Sequence, residues 1–245
     1  MSFHIVIPAR YASTRFPGKP LALINDKPLI AHVVQAANTI DCISVTVATD
    51  HEDIAQAAAT AGAEVTMTSA AHESGTDRLA EVARLKGWGD ETLVVNIQGD
   101  EPEVDADLIQ QLVTCAQRHP NAALATVVTP LKSLDDLHNP NVVKAVRLDD
   151  DRVLYFSRAP IPYNRDQRDC LTACYRHLGL YAYRVGALHA FANNGSAALE
   201  NIEKLEQLRF MAMGETIVAT EFHGELAAGI DTPEDLANYQ QRLNQ

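Results

Sequence analysis

The feature that most constrains the fold is an alternation of strand-like and helix-like segments through the first 130 residues. Short apolar runs predict buried strands, and the segments between them have the apolar spacing of helices packed on a sheet. The predicted strands are 3–7, 45–48, 64–68, 93–97 and 122–128, and the predicted helices are 29–37, 53–61, 79–85 and 107–118. Strands joined through helices form parallel sheets, so the sequence predicts an α/β fold with a mostly parallel, doubly wound central sheet.

Beyond residue 130 the pattern becomes a mixture of β-rich runs and helices. The predicted elements are a hairpin of 142–148 with 153–157, a strand over 177–183, a helix over 199–213 and a strand over 216–222. Thr232 is the expected N-cap of a last helix, with Pro233 at its first position. We expect three parts: an α/β core over 1–130, a smaller mixed part over 131–215, and a return to the core over 216–245.

The overall charge of the chain is acidic. Its 245 residues include 32 acidic and 20 basic residues, a formal net charge of −12, which would repel a nucleic-acid backbone. The chain begins with no basic region followed by an apolar run, and no segment approaches about 18 uncharged apolar residues. We therefore expect no nucleic-acid partner, no membrane association and a cytoplasmic location. The four cysteines form no Cys-x-x-Cys pair and are expected to be reduced thiols.

A basic loop follows the first predicted strand. It contains Arg10, Arg15 and Lys19, and no acidic residue occurs before Asp26. Ligands of open α/β sheets bind beyond the carboxyl ends of the strands, so this loop predicts a polyanionic ligand. The Walker A pattern is absent, which indicates phosphate binding through side chains. The alternative is an exposed loop with scattered basic residues.

Two aspartates, Asp100 and Asp231, each follow an apolar strand-like run where the chain turns outward. Mg²⁺ prefers oxygen ligands, commonly one or two carboxylates with waters and substrate phosphates. A carboxylate pair opposite the basic loop therefore predicts a site for a metal-bound nucleotide. The structural alternatives are a strand-end turn for Asp100 and helix capping for Asp231, although Thr232 is better placed as the cap.

The mixed part contains a second group of candidate residues: Arg158, His177, Glu206, Gln207 and Arg209. Each has a structural alternative. A strand histidine is often hydrogen-bonded within the core, and Glu206 with Arg209 has the spacing of a solvated helix pair.

Eight motifs give the chain a family resemblance. They are IPARYASTRFPGKP over 7–20, ATD over 48–50, SGTDR over 74–78, NIQGDEP over 96–102, LYFSR over 154–158, RHLG over 176–179, LEQLR over 205–209 and DTPEDL over 231–236. Together, and in this order, they resemble the bacterial 3-deoxy-manno-octulosonate cytidylyltransferases from end to end. Asp77 and Phe16 stand where relatives often carry Glu and Leu, which leaves the charge pattern unchanged. Residues 165–175 do not match closely and receive no role.

The resemblance implies a Rossmann-like nucleotide-diphospho-sugar transferase fold with a smaller mixed, β-rich dimerisation subdomain. It implies a Mg²⁺-dependent transfer of CMP from CTP to 3-deoxy-D-manno-octulosonate (KDO), an acidic eight-carbon sugar, for lipopolysaccharide biosynthesis. It also implies a homodimer.

Site residues carried over by the resemblance fall into three groups. The nucleotide-binding group is Ala9, Arg10, Ser13, Arg15, Lys19, Ser74, Gly75 and Thr76. The sugar-binding group is Arg78, Gln98, Arg158, His177, Glu206 and Gln207. The metal ligands are Asp100 and Asp231, which with Lys19 and Arg15 form the catalytic group.

Three other functions share features with this one. A dinucleotide-dependent oxidoreductase is disfavoured because no Gly-x-Gly-x-x-Gly follows the first strand. A non-catalytic sugar-nucleotide sensor of the same fold, and a cytidylyltransferase for the 8-amino analogue of KDO or another acidic sugar, are the alternatives that stay open.

Overall fold

A computed structural model describes residues 2–12, 16–72, 74–224 and 229–243. The chain divides into two compact units, one of residues 1–109 with 225–245 and one of residues 110–224. The sequence pattern predicts boundaries after residues 130 and 215, whereas the compact units change after residues 109 and 224. Both divisions return the end of the chain to the first part.

The described chain contains both strands and helices. The strands are β1 (His4–Ala9), β2 (Leu23–Ile24), β3 (Lys27–Pro28), β4 (Ser44–Thr49), β5 (Glu64–Met67), β6 (Leu93–Asn96), β7 (Leu124–Pro130), β8 (Lys144–Arg147), β9 (Val153–Ser157), β10 (Tyr175–Arg184) and β11 (Ile217–Glu221). The helices are α1 (Leu29–Ala37), α2 (Glu52–Thr60), α3 (Gly75–Lys86), α4 (Ala106–Arg118), α5 (Leu134–His138), α6 (Val185–Asn193), α7 (Ala198–Glu203), α8 (Gln207–Ala212) and α9 (Pro233–Leu243). No helix in these described ranges is long and apolar enough to cross a membrane.

The first unit contains a parallel sheet with the strand order β6-β1-β4-β5. Strands β1, β4 and β6 are mostly buried, whereas β5 exposes Glu64 and Met67. Helix α1 presents an apolar face that includes Leu29, Ile30, Val33 and Val34. The short strands β2 and β3 pair antiparallel as a separate hairpin. Because all four sheet strands run the same way, the chain segments that follow them emerge at one edge of the sheet.

The second unit has a mixed sheet. Strand β7 pairs parallel with β11 and antiparallel with β10, which also pairs with β8. Strands β8 and β9 form the predicted antiparallel hairpin. The mostly parallel α/β fold with a small antiparallel addition agrees with the predicted fold class.

The predicted helix over 199–213 is wrong in one respect, because the structure divides it into α7 and α8. Lys204 between them has a φ of +53°, a left-handed conformation that ends α7. Apolar spacing continues across the break, but Ile202 is 76% exposed whereas Leu205 and Leu208 are buried. The periodicity therefore could not reveal a break that depends on the backbone of one residue.

All four cysteines are free. Cys115, His119 and Asp151 place potential ligand atoms within 4.8 Å of one another. Asp151 is already paired with Arg147, with Arg118 at 3.1 Å and with His119 at 3.0 Å. Asp151 is therefore the centre of a polar network that fixes the turn between β8 and β9.

Candidate functional site

The basic loop is anchored just before Lys19. Gly18 has a φ of +70°, a left-handed conformation that favours glycine, and its N–H donates to the carbonyl of Tyr11 at 3.1 Å. A short 3-10 turn over Lys19–Leu21 follows, with Pro20 buried. The backbone at Lys19 is thus held on both sides.

Lys19 contacts both predicted metal ligands. Its ammonium nitrogen lies 2.5 Å from Oδ2 of Asp100 and 3.2 Å from Oδ1 of Asp231. The lysine side chain is only 13% exposed, whereas the two carboxylates are 27% and 46% exposed. The expected convergence of the loop and the two aspartates is therefore observed. The alternative of an exposed loop with scattered basic residues does not hold for Lys19, because its ammonium points at the aspartates.

The last segment of the chain places Asp231 beside Asp100. The N–H of Ile230 donates to the carbonyl of Asp100 at 2.9 Å. Thr232 and Asp235 cap α9: the Asp235 carboxylate accepts from the N–H of Thr232 at 2.8 Å, and Thr232 Oγ1 accepts from the N–H of Asp235 at 3.2 Å. Thr232 and Asp235 cap the helix, so the cap does not require the carboxylate of Asp231, which instead forms an ion pair with Lys19.

The donor set of Asp100 and Asp231 fits a hard divalent cation. Two carboxylates already converge on one positive charge, the Lys19 ammonium, and both retain some exposure to water. Mg²⁺ sites of this kind use one or two carboxylates and complete their coordination with waters and phosphates. Asp100 and Asp231 are thus suited to hold Mg²⁺, and this role stays a prediction.

Glu101 adds a third carboxyl group next to Asp100. Burial, with a further contribution from the Asp100 charge, raises the pKa of Glu101 to about 7. The cluster therefore carries less negative charge near neutral pH than its residue types alone would indicate.

Gly99 is required by close backbone packing before Asp100. A Cβ at this position would lie 2.9 Å from the carbonyl oxygen of Pro8 in β1. We expect Gly99→Ala to destabilise the protein by about 1–3 kcal/mol, since overpacking against a strand forces the backbone to shift. Urea unfolding followed by circular dichroism measures this loss.

The matched control is Gly89→Ala, because nothing lies within 4 Å of a Cβ at Gly89. Equal stability losses in both variants would contradict the steric argument.

The N-terminus of α3 contains the predicted cytidine-binding residues. Ser74 is the N-cap and accepts from the N–H of Asp77 at 3.0 Å, while Gly75 and Thr76 form the first turn. A helix N-terminus attracts negative or electron-rich polar groups. Gly75 also lies against the ring of Pro8 at the end of β1.

Arg78 is buried, and its guanidinium contacts Thr68 and Asp50. Its Nη1 donates to Thr68 Oγ1 at 2.5 Å and its Nη2 lies 3.1 Å from Oδ2 of Asp50. It is 3% exposed. Gln98, the other first-unit residue of the sugar-binding group, lies partly buried after β6, and both roles stay predictions.

The remaining first-loop residues differ in their surroundings. Ala9 is buried at the end of β1 and Arg10 is exposed. Ser13 and Arg15 lie outside the described residues, so their predicted phosphate contacts stay predictions.

In the second unit, Arg158 is held by backbone carbonyls. Its guanidinium donates to the carbonyls of Glu203 at 2.7 Å, Pro140 at 2.8 Å and Lys204 at 3.4 Å. Its backbone N–H donates to the Glu203 carboxylate. These contacts fix the guanidinium rigidly, and its role toward the sugar carboxylate stays a prediction.

His177 is a neutral histidine with an assignable tautomer. Thr126 Oγ1 lies 3.0 Å from His177 Nε2 and 2.8 Å from the carbonyl of Leu180. The single hydroxyl proton goes to the carbonyl, so Nε2 of His177 must be the donor and Nδ1 the acceptor. Phe156 and Tyr181 pack against the ring, and burial lowers the pKa of His177 to about 3.

The low pKa of His177 predicts a pH dependence of stability. An unfolded histidine binds a proton near pH 6.5, so this contribution to stability is complete above that pH and is lost as the pH falls toward 3. Between pH 7 and pH 5 we expect wild type to lose about 1–2 kcal/mol more than His177→Gln, since the variant has no imidazole to protonate. Urea unfolding of both proteins at the two pH values tests this, and parallel losses would contradict it.

Glu206 and Gln207 lie at the start of α8. Glu206 is exposed and Gln207 is buried, and the Nε2 of Gln207 has no hydrogen-bond partner among the described residues. Arg209 pairs with Glu200 at 2.6 Å. A buried amide with a spare donor is suited to bind a polar ligand, whereas Arg209 has a structural partner.

The chain matches known proteins both in sequence and in fold. A family model described as Cytidylyltransferase matches residues 4–217. The chain is 47% identical to the 3-deoxy-manno-octulosonate cytidylyltransferase of Thioalkalivibrio sulfidiphilus (strain HL-EbGR7), over 99% of both chains. It is 49% identical to the enzyme of the same name from Xanthomonas campestris pv. campestris (strain B100), over 99% of this chain and 89% of that one.

The chain belongs to the 3-deoxy-manno-octulosonate cytidylyltransferase family.

A solved structure of CMP:2-keto-3-deoxy-manno-octonic acid synthetase complexed with CTP superposes on this fold with a TM-score of 0.91. The two chains are 37% identical, and the match covers 100% of this chain and 98% of the other. The resemblance stated from the eight motifs is therefore confirmed at the level of both sequence and fold.

This cytidylyltransferase also holds its first loop through two residues that are not among the predicted site residues. Asp50 and His51 follow β4 and contact Tyr11 through its backbone N–H and its ring, respectively. Asp50 occupies the same kind of strand-end position that drew attention to Asp100. That signal could have identified it.

Proposed function

We propose that this chain is a nucleotidyltransferase that transfers CMP from CTP to KDO, giving CMP-KDO and diphosphate. Mg²⁺ is its cofactor, and Asp100 and Asp231 are the metal ligands. The product is an activated sugar for lipopolysaccharide biosynthesis, and the active protein is a cytoplasmic homodimer.

The observation that carries this proposal is the contact of one lysine with two aspartates from distant parts of the chain. Lys19 lies on the loop after β1, Asp100 follows β6 and Asp231 precedes α9, yet all three meet at one ammonium group. The near full-length identity to relatives named 3-deoxy-manno-octulosonate cytidylyltransferase supports the substrate pair.

In the proposed reaction, the anomeric hydroxyl of the sugar attacks the α-phosphorus of CTP. A new phosphorus–oxygen bond forms to the sugar, the bond to the β-phosphate oxygen breaks, and diphosphate leaves with that electron pair. The hydroxyl proton passes to solvent. Such transfers depend on positioning and on charge neutralisation rather than on covalent catalysis by the protein.

This chain supplies cationic groups and hydrogen-bond donors for that task. Lys19 and Arg15 neutralise charge on the departing phosphates, and the N-terminus of α3 with Ser74 binds the cytidine. When bound, Mg²⁺ supplies charge neutralisation and lowers the pKa of the attacking hydroxyl.

The sugar contacts are proposed for the second group of residues. Arg158 binds the sugar carboxylate through its fork, and its carbonyl contacts limit the freedom lost on binding. His177 accepts through Nδ1, the nitrogen left unprotonated by its bond to Thr126. Gln207 contributes its buried amide donor.

The test is diphosphate release on incubation with CTP, Mg²⁺ and KDO, measured by a coupled assay. We expect turnover with KDO, lower turnover with the 8-amino analogue and with a sialic acid, and no release without the sugar. A preference for the 8-amino analogue would mean that the analogue, and not KDO, is the sugar substrate. If none of the three sugars leads to release of diphosphate, a sugar-nucleotide sensor would be favoured. Light scattering coupled to size-exclusion chromatography tests the homodimer.

A further inference from the structure

The ring of Tyr11 lies between the basic loop and the strand β4. Its ring atoms would lie 3.5–3.7 Å from a Cβ on Gly18, so the backbone before Lys19 packs against this ring. On the β4 side, the ring stacks on His51 with centroids 4.2 Å apart and planes at 12°. Tyr11 thus connects the loop with the residues that follow β4.

The backbone of Tyr11 makes the same connection. Its carbonyl accepts from the N–H of Gly18 at 3.1 Å, and its own N–H donates to Oδ1 of Asp50 at 3.4 Å. The backbone of Tyr11 is therefore hydrogen-bonded both to Gly18 and to Asp50. Lys19 follows Gly18 directly, so a shift of Tyr11 would displace the backbone from which the Lys19 side chain extends.

Asp50 is itself held by a buried arginine. Its second carboxylate oxygen lies 3.1 Å from the guanidinium of Arg78, which is almost fully buried. Arg78 also donates to Thr68 Oγ1, and that hydroxyl donates to the carbonyl of Thr49 at 3.1 Å. A buried, hydrogen-bonded ion pair has few alternative arrangements, so Asp50 forms a rigid support.

We propose that Tyr11 is a positioning residue for CTP, and that Asp50, His51 and Arg78 hold it in place. We call these four residues the loop brace. The inference rests on the proposed function, because it gives the brace the task of holding Lys19 where the triphosphate binds. Tyr11 acts through the backbone of Gly18 and Lys19 and through its ring rather than through its hydroxyl.

The test compares Tyr11→Ala with Tyr11→Phe. We expect Tyr11→Ala to raise the Kd for Mg²⁺–CTP and the KM for CTP by about tenfold or more, since loss of preorganisation weakens binding. The KM for the sugar changes by less than about twofold on the same reasoning. Tyr11→Phe keeps the ring and the backbone contacts, so we expect its Kd for Mg²⁺–CTP to stay near the wild-type value.

The matched control is His4→Ala. His4 stacks on Trp88 with centroids 4.1 Å apart and planes at 18°, a similar ring pair at the opposite end of the same strand β1. We expect this variant to keep the wild-type Kd for CTP even if its melting temperature falls as far as that of Tyr11→Ala. An equal rise in Kd for His4→Ala would reduce Tyr11 to a general stability residue and overturn the proposal.

Two further outcomes would also overturn it. Equal weakening by Tyr11→Phe and Tyr11→Ala would make the hydroxyl a direct ligand, and an unchanged Kd in Tyr11→Ala would remove the role. In a double-mutant cycle on CTP affinity with Lys19→Ala, the positioning role requires that the two effects fall well short of additivity. Because CTP affinity is measured without a sugar, it tests the brace even if KDO proves to be the wrong acceptor.

Discussion

Replacing Asp100 by asparagine is expected to lower kcat for diphosphate release by about 10²-fold or more, the cost of removing one preorganised electrostatic group. Asparagine keeps the shape of the side chain but removes its charge from a group that contacts Lys19 at 2.5 Å. The concentration of Mg²⁺ needed for half-maximal activity should rise as well, since carboxylates are the preferred ligands of this cation. Steady-state kinetics over a Mg²⁺ titration measures both effects.

The control for Asp100→Asn is Glu64→Gln. Glu64 pairs with Lys86 at 2.7 Å at the start of β5, so this variant also removes one carboxylate from a lysine pair of the same unit. We expect it to leave kcat and the Mg²⁺ requirement unchanged. Near-normal turnover by Asp100→Asn would discard the metal role of Asp100.

Lys19→Ala is expected to lower kcat/KM for CTP by about 10²-fold or more, since it removes the cation that we propose neutralises the departing phosphates. It should also tighten Mg²⁺ binding to the nucleotide-free protein, because Asp100 and Asp231 lose the ammonium that neutralises them. Calorimetric titration of Mg²⁺ without CTP measures the second effect independently of activity.

The two parts of this prediction can fail separately. If Lys19→Ala binds Mg²⁺ no better than wild type, the lysine is not a competing cation at the carboxylate pair. If kcat/KM for CTP is retained, Lys19 is a structural counter-ion only. A loss of melting temperature large enough to explain the loss of activity would favour the structural reading, and Lys86→Ala gives the matched reference for removing a paired lysine.

Much of the fold was predictable from local patterns. Strand ends and helix caps depend on a few neighbouring residues, which is why Asp100 and the Thr232 cap could be recognised in the sequence. The break at Lys204 could not, because a single left-handed residue leaves the apolar spacing intact. Sequence periodicity identifies elements but does not report one backbone dihedral.

The surroundings of the candidate site were predictable only in part. The types of the cationic and acidic residues were visible, and parallel strands bring their carboxyl ends to one edge. The partners of the arginines were not, since Arg78 depends on Asp50 and Thr68, and Arg158 depends on carbonyls about 18 and 45 positions away along the chain. Pairing between distant segments follows from the tertiary fold, which local propensity does not encode.

The bond from Ile230 to the carbonyl of Asp100 affects how this polypeptide can be shortened. A truncation from the carboxyl terminus that continues through α9 to residue 230 would remove Asp231. It would also remove the hydrogen bond that Ile230 donates to the segment carrying Asp100. Deletion libraries should therefore show an abrupt loss of function near this position, and affinity tags belong beyond the last helix rather than in place of it.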